Sequence, residues 1–200
     1  MKNTLTFIDL DDTLFFTKAK ILVKNKKGDI LHKLTNQEYN SYILSVGESF
    51  DFSEFKDTEI FVRTSEPNQP MIDILQELFN NTKSTNSEVY LLTARQDFDD
   101  KDKFLSYLIK HGIEVGHKND QKIHVIRAGN IHGFNNAHKK YQIIKKILED
   151  NTQFKTVQLY DDSKDNLSTF SKLKLDYPEK IIEPFLLKGN KIKRYNLSLF

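Results

Sequence analysis

The stretch TFIDLDDTLF, residues 6–15, joins a short apolar run to three carboxylates. Its first half is typical of a buried β-strand. Asp9, Asp11 and Asp12 then follow within four residues, although aspartate disfavours strands and like charges repel one another. A cluster of this kind at the end of a strand requires a compensating positive charge nearby.

The composition is that of an ordinary globular protein. Of the 200 residues, 38% are hydrophobic and 29% are charged, and 30 basic against 28 acidic residues give a formal net charge of +2. This balance does not demand a nucleic-acid partner, because such partners require a larger local excess of basic residues. The sequence contains no apolar run long enough for a membrane span, so we expect no membrane association. The absence of cysteine excludes disulfides and thiolate metal sites and favours a cytoplasmic location.

Short apolar runs alternate with segments of helical periodicity along the chain. Four runs have strand character: Leu5–Ile8, Val89–Leu92, Ile123–Ile126 and Val157–Tyr160. Helices are predicted over Met71–Phe79 after Pro70, over Phe104–Ile109 before Gly112, and over Tyr141–Leu148. This alternation predicts an α/β fold, a three-layer Rossmann-like core with a mainly parallel sheet between helices.

A long segment interrupts the alternation after the first strand. Roughly 50 residues precede the next sheet-forming unit, far more than an ordinary connection. Within them, residues 20–34 (KILVKNKKGDILHKL) predict a β-hairpin with Gly28 in its turn. Thr35 or Asn36 is expected to cap a short helix, with Glu38 behind it.

The predicted domain organisation is therefore a core with one insertion. We expect residues 1–14 and 69–200 to form the core, and residues 15–68 to form a small cap of hairpin plus helix. Near the C-terminus, residues 185–195 (FLLKGNKIKRY) predict a second hairpin, around Gly189.

Polar residues follow three of the four predicted strands. They are Asp9, Asp11 and Thr13 after the first, Thr93 and Arg95 after the second, and Asp161, Asp162, Asp165 and Asn166 after the fourth. The carboxyl ends of parallel strands meet at one edge of a sheet, where open α/β sheets bind ligands. Two acidic clusters brought together there need a cation between them, and oxygen ligands without thiolates favour Mg²⁺.

The spacing of these residues indicates their roles. In an extended strand Asp9 and Asp11 point to the same side, so one carboxylate can attack an electrophile while the other transfers a proton. Thr13 is expected to hold the second carboxylate by a hydrogen bond. Thr93 can offer its hydroxyl and nearby backbone N–H groups to an anionic oxygen.

Cationic side chains are needed to neutralise a transferring phosphoryl group. Lys139 and Lys140 are the candidates, at the start of the helix that precedes the fourth strand. Arg95 either contacts a substrate phosphate or pairs with the acidic run at residues 97–100 (DFDD), and the sequence leaves both readings open. Thr13, Arg95 and Lys139 are the residues that we expect beside the substrate.

Three motifs together resemble those of the haloacid dehalogenase (HAD) superfamily. They are DLDDT (residues 9–13), LLTAR (91–95) and YDDSKDN (160–166), and the resemblance covers residues 4–13 and about 86–173. It implies a Mg²⁺-dependent phosphatase that acts through an aspartyl-phosphate on Asp9. It also implies that Asp11 is the general acid and base and binds the metal through its backbone carbonyl.

The resemblance also bears on the lysine and on the paired aspartates. In the family the lysine precedes apolar residues at positions i+3, i+4, i+7 and i+8, a pattern that fits Lys140 and not Lys139. Where the fourth motif has two aspartates, the second is usually the metal ligand. The resemblance therefore implies Asp162 as the ligand, with Asp161 as a supporting acid of the same metal site.

The combination of an arginine in the second motif with two aspartates in the fourth resembles the 3′-phosphatase module of phage polynucleotide kinases. This implies a nucleotide or a terminal phosphate of nucleic acid as substrate. A phosphatase of small metabolites with the same core, and a non-catalytic binding module of the same fold, remain open as alternatives. We expect no obligatory protein partner.

Overall fold

The computed structural model describes residues 3–116 and 122–196. The strands, in chain order, are β1 (Thr4–Ile8), β2 (Phe15–Phe16), β3 (Ile21–Lys24), β4 (Ile30–Leu34), β5 (Ser49–Asp51), β6 (Glu66–Pro67), β7 (Glu88–Thr93), β8 (His124–Arg127), β9 (Thr156–Asp161), β10 (Ile181–Lys188) and β11 (Lys191–Arg194). The helices are α1 (Asn36–Ser41), α2 (Thr58–Thr64), α3 (Gln69–Thr82), α4 (Lys101–Lys110), α5 (Asn136–Asp150), α6 (Lys164–Ser171) and α7 (Leu173–Asp176).

The main sheet is mostly parallel and has β1 near its centre. Its strand order is β11-β10-β9-β1-β7-β8. β1 pairs in parallel with β7 on one side and with β9 on the other. β7 pairs in parallel with β8, and β9 pairs in parallel with β10. Antiparallel β11 completes the predicted hairpin around Gly189, whose φ is +56°, and extends the sheet at one edge. The four predicted core strands are confirmed, and no end differs from its predicted position by more than one residue.

Helices cover both faces of this sheet because successive side chains of each strand point to opposite faces. Leu5 and Phe7 pack with the apolar stripes of α5 and α6, whereas Ile8 packs with those of α3 and α4. The result is the predicted three-layer α/β fold. Among the helices of the described residues, none combines the length and apolarity needed to cross a membrane.

The segment between β1 and α3 forms a second, antiparallel sheet in which β3 pairs with β4 and β5. The predicted hairpin is confirmed, with Gly28 at φ +89° in its turn. Thr35 caps α1, and Glu38 completes a capping box. Strand β5 and helix α2 were not predicted, since one has three residues and the other seven, too few for a clear period.

A short neck joins this segment to the main sheet. Strands β2 and β6 pair in antiparallel orientation, and the backbone N–H of Asn68 donates to the carbonyl of Leu14 at 2.8 Å. The buried Asn68 side chain also donates to the carbonyl of Thr13. The segment thus leaves and re-enters the core at adjacent points. Its part nearest the neck contributes to the core, because Phe61 of α2 is fully buried against Phe15. The division into core and cap at residues 15–68 remains a prediction.

Candidate active site

The predicted site residues lie at the carboxyl edge of the main sheet. Asp9 directly follows β1, and its backbone N–H continues the ladder by donating to the carbonyl of Tyr160 at 3.0 Å. Thr93 ends β7 and Asp161 ends β9, the two strands that flank β1. Parallel pairing therefore brings together side chains that are distant in the sequence.

Lys140 is the cation at the centre of this site. Its Nζ lies 2.6 Å from Oδ1 of Asp9 and 2.7 Å from Oδ2 of Asp161, and the residue is only 2% exposed. Burial opposes the charge on Lys140, but the two carboxylates outweigh burial and raise the pKa of the ammonium above its ordinary value. Lys140 is therefore protonated and positively charged between the two buried carboxylates.

The helical register of α5 explains why Lys140, and not Lys139, reaches the site. Lys140 lies on the same buried stripe as Ile144 and Leu148, which face the sheet. Lys139 is half-buried on a neighbouring face, where its side chain runs alongside Gly133. The geometry thus agrees with the choice of Lys140 and gives Lys139 no place next to Asp9.

Three carboxylates converge beside this ammonium. Asp9, Asp161 and Asp162 each offer one oxygen, and these oxygens lie within 4.8 Å of one another. Burial, followed by the charge of Asp161, raises the pKa of Asp162 to about 7. Burial also raises the pKa of Asp9, although Lys140 acts in the opposite direction. A divalent cation would relieve this repulsion, and a set of carboxylate oxygens suits Mg²⁺. The residues present therefore fit a magnesium ion.

The two adjacent aspartates differ in how they are engaged. Asp161 is fully buried and accepts hydrogen bonds from the Ser163 backbone N–H at 2.9 Å and from the Asn166 side chain at 2.9 and 3.0 Å. Together with Lys140 these donors fix its orientation. Asp162 is half-buried and contributes to the same group of oxygens, and within the described residues its carboxylate accepts no comparable hydrogen bonds. This difference agrees with Asp162 as the ligand and Asp161 as its support.

Asp11 does not join the carboxylate group, since its partner is Arg95. Arg95 Nε donates to both carboxylate oxygens, at 3.0 and 2.9 Å, and Nη2 donates at 2.6 Å. The predicted pairing of Arg95 with the run at residues 97–100 is wrong, because Asp97 of that run pairs with Arg127 and Lys101. The side chain of Arg95 is only 1% exposed, and its expected contact with a substrate phosphate stays a prediction.

Thr13 is not placed as the sequence predicted. It is fully buried, and its hydroxyl has no hydrogen-bond partner within the part of the chain that the structure describes. The assumption of an extended chain fails after Asp11, because Asp12 has φ +55° and Leu14 donates back to the carbonyl of Leu10. The expected hydrogen bond from Thr13 to Asp11 is therefore not formed, and the place of Thr13 beside the substrate stays a prediction.

Thr93 lies at the carboxyl edge of the main sheet, and its expected role in binding an anion stays a prediction. It is fully buried at the end of β7, and its hydroxyl accepts a hydrogen bond from the backbone N–H of Arg95 at 3.1 Å. That bond orders the first residues after the strand. The loop therefore presents fixed backbone groups at the edge of the sheet where Asp9 lies.

A comparison with solved structures identifies the architecture. The HAD domain of the effector protein Lem4 from Legionella pneumophila, solved as an inactive mutant, superimposes with a TM-score of 0.54 over 96% of this chain and 89% of that chain. The chain has the HAD fold. At 10% sequence identity the likeness shows the fold alone. No family model matches the sequence, and no curated protein does.

Within this HAD fold, sequence reasoning overlooked the residues that support the carboxylates. Asn166 and Ser163 hold Asp161, and the inserted segment reaches Arg95 through Thr17 and the backbone of Phe55. A signal existed for the first pair, because Ser163 is a good N-cap and a capped α6 turns Asn166 back towards the end of β9. A backbone carbonyl carries no signal of this kind.

Proposed function

We propose that the protein is a Mg²⁺-dependent phosphatase that hydrolyses phosphomonoesters through an aspartyl-phosphate on Asp9. The observation that carries the proposal is the buried Lys140 ammonium, bound to both Asp9 and Asp161 where Asp162 adds a third carboxylate. A fixed cation against the attacking carboxylate offsets the charge of an incoming phosphate, and the burial of both groups strengthens this electrostatic effect.

The proposed reaction has two steps. The Asp9 carboxylate attacks phosphorus, the bond to the ester oxygen breaks, and Asp11 donates a proton to that oxygen. Asp11 then takes a proton from a water molecule that attacks the aspartyl-phosphate, which releases phosphate and restores Asp9. Lys140 and the groups around Thr93 bind phosphate oxygens during both steps.

The metal would be held by the carboxylates of Asp9 and Asp162, supported by Asp161, and by the backbone carbonyl of Asp11. When bound, it supplies positive charge that draws electron density from phosphorus and holds the phosphate in place. The fit of the carboxylate group to a hard cation supports this assignment.

The proposed substrate is a nucleotide or the terminal phosphate of a nucleic acid, acted on in the cytoplasm. The resemblance to the phage 3′-phosphatase module supports it, as do Lys26 and Lys27, both exposed in the turn of the β3–β4 hairpin. A phosphatase of small metabolites would share the same core and differ in how the inserted segment encloses the leaving group. A non-catalytic binding module is the remaining alternative.

Release of phosphate from p-nitrophenyl phosphate in the presence of Mg²⁺ tests the proposal. Asp9→Asn should lower kcat by roughly three orders of magnitude or more. Asp12→Asn is the matched control, because the Asp12 carboxylate is engaged by Asn36 and by the backbone N–H of Thr17 and lies outside the carboxylate group. Equal activity of Asp9→Asn and wild type would refute the mechanism.

A panel of natural esters then separates the substrate classes. Nucleotides and 3′-phosphorylated oligonucleotides are compared with sugar phosphates at equal concentration. A higher kcat/KM for the nucleotide compounds supports the proposed class, and a preference for sugar phosphates assigns the enzyme to metabolite chemistry. Phosphate binding without turnover of any ester would indicate the binding module.

A further inference from the structure

The Arg95 guanidinium joins the proposed acid–base residue to the inserted segment. One side of the group binds both carboxylate oxygens of Asp11 at 2.6 to 3.0 Å. Nη1 donates to the backbone carbonyl of Phe55 at 2.8 Å, and Nη2 donates to the hydroxyl of Thr17 at 3.0 Å. Because the guanidinium is planar and rigid, it fixes Asp11 relative to two points of the inserted segment.

Aromatic rings hold the guanidinium itself in place. Its central carbon lies 4.7 Å from the ring centre of Phe55, 4.9 Å from that of Phe61 and 5.1 Å from that of Phe98. Phe55 and Phe61 belong to the inserted segment, whereas Phe98 follows β7. Such contacts stabilise a cation that has lost its water, so Arg95 is ordered independently of its carboxylate partner.

The side chain of Asp11 needs a partner of its own to fix its orientation. The backbone of Asp11 lies just before the left-handed Asp12 and is held by an isolated β-bridge to Phe15, but this bridge does not fix the carboxylate. Proton transfer requires the carboxyl group within hydrogen-bond distance of the leaving oxygen, and small errors of placement are costly. The bidentate contact with Arg95 supplies the missing constraint.

We propose that Arg95 is a positioning residue that aims Asp11 at the leaving group, and that its contacts with Phe55 and Thr17 make this aim depend on the inserted segment. The inference rests on the proposed function, in which Asp11 is the general acid. In this role Arg95 acts through Asp11 and not directly on the phosphate or the metal. The site is therefore assembled by the core and the inserted segment together.

Two esters with different leaving groups test the positioning role. The phenolate of p-nitrophenyl phosphate departs without a proton, whereas the alkoxide of an alkyl phosphomonoester such as glycerol phosphate requires one. Arg95→Gln should lower kcat for the alkyl ester by about 100-fold or more and kcat for the aryl ester by less than about 10-fold, with KM little changed. The kcat of Arg95→Lys for the alkyl ester should lie between those of Arg95→Gln and wild type, because lysine keeps the charge and loses the bidentate geometry.

Arg127→Gln is the matched control. Arg127 is the last residue of core strand β8, pairs with Asp97 at 3.3 Å and packs 5.6 Å from the ring of Phe104, but it does not contact Asp11. It should hydrolyse both esters at rates near those of wild type. Thr17→Val removes one acceptor of Arg95 and leaves the rings around Arg95 intact. It should therefore lower kcat less than Arg95→Gln does, with the same dependence on the leaving group. This variant keeps the test available if Arg95→Gln folds poorly.

Hydrogen exchange tests the link to the inserted segment without relying on activity. Exchange of the Phe55 and Lys56 amides, which donate within the 3₁₀ turn at Ser53–Phe55, should be faster in Arg95→Gln and unchanged in Arg127→Gln. Equal exchange in Arg95→Gln and wild type would overturn this link.

The kinetic outcomes separate this inference from the function on which it rests. Equal losses for both esters, or a change in KM alone, would overturn the positioning role while the phosphatase activity stands. A wild-type protein that hydrolyses neither ester would overturn the proposed function, and with it the role of Arg95 in proton transfer.

Discussion

Replacing Lys140 with methionine should destabilise the metal-free protein strongly. Methionine preserves the apolar stem but leaves the buried carboxylates of Asp9 and Asp161 facing each other, where an ammonium had bound both at 2.6 and 2.7 Å. Removing one partner of a buried ion pair costs about 3–5 kcal/mol. In a chain of this size each kcal/mol lowers the unfolding midpoint by about 2–4 °C, so we expect a decrease of about 6–20 °C.

Thermal unfolding followed by circular dichroism, in buffer that contains a chelator, measures this effect. Lys139→Met is the control, since Lys139 is half-buried on the same helix and forms no ion pair within the described residues. It should change stability by less than about 0.5 kcal/mol. Adding Asp9→Asn to Lys140→Met should restore part of the loss, because it removes one of the two unpaired charges.

A small effect would refute this electrostatic reasoning. If Lys140→Met unfolded within about 2 °C of Lys139→Met, the loss would be under about 1 kcal/mol, far below that of a broken buried ion pair. The carboxylates would then be uncharged in the folded protein, and Lys140 would act by packing alone.

Three further tests concern the metal, one close backbone contact and the neck. Mg²⁺ at 100 times its dissociation constant should stabilise the protein by about 2.7 kcal/mol in thermal unfolding. This stabilisation should be absent in Asp162→Asn and unchanged in Asp165→Asn, whose altered side chain is exposed. Gly129→Ala should cost about 1–3 kcal/mol in urea unfolding, because its methyl would lie 2.6 Å from backbone carbonyl oxygens. Gly133→Ala should cost less, because its methyl would meet side chains, those of Lys139 and Gln142, and no backbone; equal effects would contradict this reasoning. Asn68→Ala should cost about 1–3 kcal/mol in the same assay because it leaves a buried carbonyl without its donor, and a neutral result would exclude the neck as a source of stability.

The sequence predicted the centre of the site because the relevant information is local. A strand followed by polar residues can be recognised within ten residues, and in a parallel sheet the two acidic endings and the ending at Thr93 lie at the same edge. The choice of Lys140 followed from apolar residues on one stripe of a single helix, a pattern that the structure places against the sheet. The local pattern identified the residues, and their convergence then depends on β7 and β9 both lying next to β1.

Arg95 and Thr13 show where local information fails. Arg95 and Asp11 are 84 residues apart, and only the adjacency of β1 and β7 brings them together. Several acidic residues lay closer to Arg95 in the sequence, so charge alone could not identify the partner. Thr13 was misplaced because the prediction extended the strand geometry through a turn that begins at Asp12.

The neck has a consequence for how such a chain can change. The backbone groups of Leu14 and Asn68 are joined by one hydrogen bond. A segment from another protein whose two ends lie equally close can therefore be inserted here without distorting the main sheet. Chimeras joined at Leu14 and Asn68 would keep the carboxylates and Lys140 of the core and would replace the inserted segment. Substrate specificity can then change by replacement of the whole inserted segment, provided that each replacement places a backbone carbonyl where that of Phe55 accepts a hydrogen bond from Arg95.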